Sequence, residues 1–208
     1  SAPSTPSTSS SGYLATNATA FSGTAADDTL SISTGATWTP LVMTAVLLDG
    51  GGGSNTLSVQ DGSSIAAALV VNFSNLSFDA TGVTGTHDVT MSASQNQMFT
   101  GTITAAGSGA NSERIIITGD GAVTTLSGVE QYSVGDDSTN ARTITISQAG
   151  ASVTADASTD AVTFSAGALA ITGTLTGDST VDDVLSLSNG ADISGATITQ
   201  IEALTLAS

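Results

Sequence analysis

The chain contains no cysteine and no lysine; its only basic side chains are Arg114 and Arg142, with a single histidine, His87. Without cysteine there are no disulfides and no thiolate metal centres. Without lysine there are no lysine–asparagine isopeptide crosslinks. Against the two arginines stand 18 acids, for a net charge of −16 in 208 residues. So acidic a surface repels phosphate, which disfavours nucleic acid and anionic membranes as partners. No apolar run is long enough to span a bilayer, so membrane insertion is not expected. Aromatic residues make up 4% of the chain. Trp38, Tyr13, Tyr132 and the five Phe are too scattered for a sugar-stacking platform and read as core or interface residues. The usual helix formers Lys, Glu and Arg are nearly absent, whereas Ser, Thr, Ala, Gly and β-branched residues abound. This is an all-β composition.

What is present is repetition. Asp27-Asp28-Thr29-Leu30-Ser31-Ile32 reappears as Asp182-Asp183-Val184-Leu185-Ser186-Leu187. The segment from Asn55 to Ala80 aligns without gaps onto Asp183 to Ser208, and a looser copy runs from Ile115 to Val134. Repeats of this size mark a chain that stacks one small unit, each hiding its apolar face against its neighbours. Leu57 to Leu76 spans 19 residues, as does Leu185 to Leu204, a length that suits one coil of a β-solenoid. Short period-two strands recur from Phe21 onward, among them Thr29–Ser33, Thr56–Gln60, Ala67–Val71, Gln131–Val134, Ala168–Thr176 and Ala203–Leu206. Gly, Asn and Asp punctuate them, and one weak helix is expected around Ser92 to Met98. The fold expected is a parallel β-solenoid over residues 21–208, with a β-sandwich as the alternative. Residues 1–20 read as a Ser/Thr/Pro-rich extended linker or tail with no visible signal peptide. Its apolar anchors would be Tyr13, Leu14 and Phe21, and its backbone would pair with an exposed strand edge.

Gly50-Gly51-Gly52-Gly53-Ser54-Asn55-Thr56-Leu57-Ser58 fits a calcium nonapeptide in which a Gly-rich turn exposes carbonyls and an acid adds carboxylate oxygen. Asn55 stands at the Asp position. Degenerate copies place Asp27 and Asp28, and Asp182 and Asp183, at the same turn; Asp136 and Asp137 follow Gly135 in a weaker one. The alternative for all of them is a solvated Asp that favours turns on its own account. These blocks, with Ile201-Glu202-Ala203-Leu204-Thr205-Leu206, resemble the RTX-type secreted repeat proteins, and in style the S-layer and giant surface proteins of Gram-negative bacteria. The resemblance implies a parallel β-solenoid, bound Ca²⁺, an extracellular or cell-surface location, and a lattice or filament. It departs from true calcium rolls, because the nonapeptides here are isolated rather than consecutive.

The function expected is therefore a structural protein that self-assembles. The chain stops at Leu204-Thr205-Leu206-Ala207-Ser208 inside a repeat copy, with Leu204 and Leu206 uncapped, so another chain or more of the same chain is expected to cover it. An adhesin module binding a cell-surface polysaccharide is a second reading, and a polysaccharide lyase a remote third. No catalytic residues are assigned: His87 lacks a Ser–Asp constellation and reads as a surface residue, and Arg114 beside Glu113 reads as half of an ion pair. Sequons at Asn17, Asn72 and Asn75 permit glycosylation.

Overall fold

The computed structural model describes residues 11–14, 20–33, 40–79, 84–106, 112–134, 141–155 and 161–206, with only the backbone for 11–14 and 105–106. Asp136, Asp137, Trp38 and Asn17 lie outside the described residues, as do the side chains of Tyr13 and Leu14. The chain is a parallel β-solenoid and divides into two compact units, Ser1–Thr90 with Met98–Asn111, and Met91–Gln97 with Ser112–Ser208.

In the first unit, β1 (Ser11–Leu14), β3 (Thr29–Ile32), β5 (Thr56–Gln60), β7 (Asn75–Asp79) and β9 (Ile103–Ala106) form one parallel sheet in that order. Strands β2 (Phe21–Ser22), β4 (Val42–Asp49), β6 (Ser63–Val71) and the start of β8 (His87–Ser92) pair in parallel as a second sheet. The chain thus alternates between two sheets, and each coil lays one strand on each. The period-two pattern turns Leu, Ile, Val and Phe inward, where they stack in columns. Leu30, Leu57 and Leu76 form one such column and Ile32, Val59 and Phe78 the next, all at most 1% exposed. Ser and Thr of the same strands face outward. Residues 11–14, within the segment read as a tail, pair in register with β3, Ser11 against Thr29 through Leu14 against Ile32.

The second unit repeats the plan. One sheet carries β10 (Glu113–Thr118), β12 (Gln131–Val134), β14 (Ser152–Ala155), β16 (Thr174–Thr176) and β18 (Thr197–Thr199). The other carries β11 (Val123–Thr124), β13 (Arg142–Ile146), β15 (Val162–Ala166), β17 (Val184–Leu187) and β19 (Ala203–Leu206). Ile115, Tyr132, Val153 and Leu175 form one buried column, and Ile144, Phe164 and Leu185 another. Tyr132 keeps its hydroxyl satisfied inside by accepting the Leu126 N–H at 2.7 Å. The expected helix is one turn, α1 (Ala93–Asn96). A capping box holds it: the Ser92 hydroxyl accepts from the Gln95 N–H, and the Gln95 side chain accepts from the Ser92 N–H.

The glycine run 50–53 has a steric reason. Gly53 sits at φ 79°, and a Cβ there would lie 2.6 Å from the Ala26 carbonyl carbon of the turn one coil before. Gly53→Ala is therefore expected to cost at least about 1–2 kcal/mol, from the left-handed backbone alone, before any adjustment of the neighbouring turn. Urea denaturation of the variant checks it, and an unchanged midpoint would refute the steric account.

Two readings are corrected. Ala168–Thr176 is not one strand: only Thr174–Thr176 is, and Ala170 makes a single bridge to Asp192. His87 is not a surface residue. As the first inward position of β8 it is 1% exposed.

Candidate functional site

The acids singled out by the repeat sit at the turns that lead into strands, and Thr29 stacks on Thr56, so Asp28 and Asn55 occupy equivalent positions on adjacent coils. Asp28 is buried and donates its N–H to Asn55 Oδ1 at 2.8 Å. Its own carboxylate accepts from the Thr24 N–H at 2.5 Å and from the Thr24 hydroxyl. Asn55 is buried too, and its amide donates to the Gly52 and Asn72 carbonyls, each at 2.8 Å. Asp27 is exposed, and its Oδ1 accepts from the Ser54 N–H at 2.7 Å.

The second unit uses the same device. Asp183 is fully buried, with Oδ1 accepting from the Val162 N–H at 2.6 Å and Oδ2 from the Asp178 N–H at 2.5 Å. Its N–H donates in turn to Glu202 Oε2 at 2.9 Å. Glu130 Oε2 accepts from the Glu113 N–H at 3.0 Å in the same way. Each of these side chains reaches one coil back and satisfies a backbone N–H that the strand ladder leaves over. Asp182 is exposed in the turn beside them.

These oxygens therefore face N–H and O–H donors of the neighbouring backbone and side chains. Every oxygen of Asp28 and Asp183 already accepts a hydrogen bond, so a Ca²⁺ ion here would share each oxygen with an N–H or O–H donor. Among the described residues, no three His, Cys, Asp or Glu gather as a metal-holding group. Asp27 and Asp28 do line a common groove of about 410 Å³ on the outward face of the first sheet, with Thr29, Ser54, Thr56 and Asn75 among its walls. Its lining is hydroxyl, amide and carboxylate.

Burial sets the charges. Desolvation raises the Asp183 carboxyl, countered by the two N–H donors it accepts from, and the charges of Glu202 and Asp178 push it further up. Glu113 turns inward, Arg114 takes the alternate, more exposed position, and Glu130 is an acidic neighbour of Glu113. Desolvation, a hydrogen bond to the Glu130 side chain and the Glu130 charge raise Glu113 to about 7, from 4.5. The sign follows: the folded chain holds a proton that the unfolded chain releases near 4.5. That contribution to stability is complete below about pH 4.5 and is lost as the pH climbs to about 7. Its ceiling is about 3 kcal/mol, at 1.36 kcal/mol per unit. Urea midpoints across this range are expected to fall less steeply for Glu113→Gln than for the wild type; parallel curves would count against the assignment.

Of the two sequons in described residues, Asn72 is exposed at φ 60° and donates to Asp49 Oδ1 at 2.8 Å. Asn75 is spent between coils: its amide donates to Ser54 Oγ and its Oδ1 accepts from the Thr102 N–H.

The assembly residues separate into two places. Phe21 opens β2 in the first unit, half-buried, with its ring 6.4 Å from that of Phe73. Leu204 and Leu206 are on β19, which is the edge of its sheet, and they are 58% and 71% exposed. Sequence reasoning missed their neighbours. Ile198 on β18, 36% exposed, and Ile201 join Leu204 around an apolar cleft with Leu185, Ile193 and Glu202. Ile198 was legible as an apolar repeat position, but not as an exposed one.

No protein-family model, curated protein or solved structure matches the chain. The solenoid class thus rests on the strand pairing alone, and no family is assigned.

Proposed function

We propose that the chain is a structural, non-catalytic building block of an extracellular surface layer or filament, stacking copy upon copy through the rung that carries β18 and β19. One observation carries this reading. Leu185 and Leu187 are 2% and 7% exposed because Leu204 and Leu206 lie over them in register, whereas nothing described lies over Leu204 and Leu206. The rung presents an apolar floor between two unpaired parallel strand edges. Another parallel strand pair with Leu, Ile or Val inward satisfies both the apolar surface and the edge N–H and C=O groups. The chain's own coils have that pattern, so a coil of the same kind fits this face, and a second copy is the occupant proposed. The acidity and the Ser/Thr outer faces suit a solvated exterior protein.

Sedimentation velocity and negative-stain electron microscopy test it. The wild type is expected to form concentration-dependent polymers, and Leu206→Asp to remain monomeric with unchanged far-ultraviolet circular dichroism. A wild type that stays monomeric at millimolar concentration would overturn the reading. The Ca²⁺ part is separable, and chelation decides it.

A further inference from the structure

The proposed stacking face has a charge problem that its apolar residues do not solve. Glu202 lines the same cleft as Leu185, Ile193, Ile198 and Leu204. Its Oε2 already accepts from the Asp183 N–H, and the buried Asp183 carboxylate lies beneath it. Asp178 is also buried there, accepting from the Thr180 N–H and hydroxyl, and Asp182 and Asp192 are exposed nearby in sequence. From Gly177 to Leu206 there are five acids and no basic residue. A second copy brings little relief, because the whole chain holds two arginines and no lysine. Arg142 is 2% exposed, with Nη1 donating to the Ile117 carbonyl, and Arg114 stands on β10. Seating another rung would strip water from Glu202 without supplying a counter-charge, and would bring together two chains of charge −16.

We infer, resting on the stacking read above, that self-association at this face is gated by ionic strength, with Glu202 as the charge nearest the seam. In dilute salt the repulsion between copies reaches about 30 Å at 0.01 M; at 0.15 M it is cut to about 8 Å and the apolar rung decides the outcome. An ordinary electrolyte is sufficient, and no ion need be bound at a fixed place.

The test measures the association constant of the full 208-residue chain by sedimentation at pH 7.5, in NaCl from 20 to about 500 mM, for the wild type and Glu202→Gln. Glutamine keeps an oxygen for the Asp183 N–H, so the fold is retained. The wild type is expected to associate at least about tenfold more tightly at the high-salt end, and Glu202→Gln to associate several-fold more tightly than wild type at the low-salt end. CaCl₂ at matched ionic strength is expected to act like NaCl. Association that ignores or weakens with NaCl, a Glu202→Gln variant that behaves as wild type in low salt, or a response confined to CaCl₂ would each overturn the gating while leaving the stacking in place. No association by either protein at any salt would remove the stacking itself, and the gating with it.

Discussion

Phe164→Ala is expected to lower the unfolding free energy by about 3–5 kcal/mol, the range for removing a fully buried aromatic side chain. Phe164 is 0% exposed and stacks in register between Ile144 and Leu185. The loss combines the transfer free energy of the ring with a void that the coils on either side cannot collapse into without breaking their backbone ladders. Because each coil of a solenoid rests only on its neighbours, the damage should stay local. Hydrogen exchange is expected to quicken first in β13, β15 and β17 and to leave the first unit nearly unchanged. Uniform quickening over both units, or a denaturation midpoint close to wild type, would argue against the column picture.

The second large effect separates two roles for the repeat's acids. Asp183→Ala strips the acceptors from the Val162 and Asp178 N–H groups, inside a turn where Asp183 itself is fully buried. An unsatisfied buried donor costs roughly 1–3 kcal/mol, and two are stranded here, offset in part by removing a desolvated charge. A fall in melting temperature is therefore expected for Asp183→Ala with or without EDTA, while EDTA alone is expected to leave the wild type unmoved. Were Ca²⁺ the partner of Asp183, the chelator would destabilise the wild type and have no further effect on the variant. Differential scanning calorimetry of the two proteins in calcium and in EDTA gives four melting curves that tell these cases apart.

Much of the fold is legible because a coil length is a sequence distance. The 19-residue intervals from Leu57 to Leu76 and from Leu185 to Leu204 are the register pairs of β5 with β7 and of β17 with β19. Strands such as Thr56–Gln60 and Gln131–Val134 have the bounds that alternation alone assigns them. Strand β4 escaped that logic. Its apolar residues do not alternate, since Ala45 takes φ 53° and the pairing with β6 slips between Val42 and Leu47. The site was legible in position but not in partner. The repeat places Asp28 and Asp183 at turns. Whether such a carboxylate meets a cation or an N–H depends on the coil beside it, which lies about twenty residues away along the chain. Likewise the sequence marks Leu204 and Leu206 as inward positions of a repeat, but their exposure depends on what lies above them.

The coils differ in length while their columns do not. Ile115 and Tyr132 are 17 residues apart, Ile144 and Phe164 are 20, and Leu30 and Leu57 are 27, yet each pair stacks directly. The strands of the longer coils keep the same register despite the extra residues between them. Insertions and deletions at a corner are therefore decoupled from the core. Such a chain can diverge widely in loop length, or accept a grafted peptide epitope between two strands, while keeping its columns. Alignments that penalise gaps uniformly would lose the relationship between two such chains long before the architecture itself had changed.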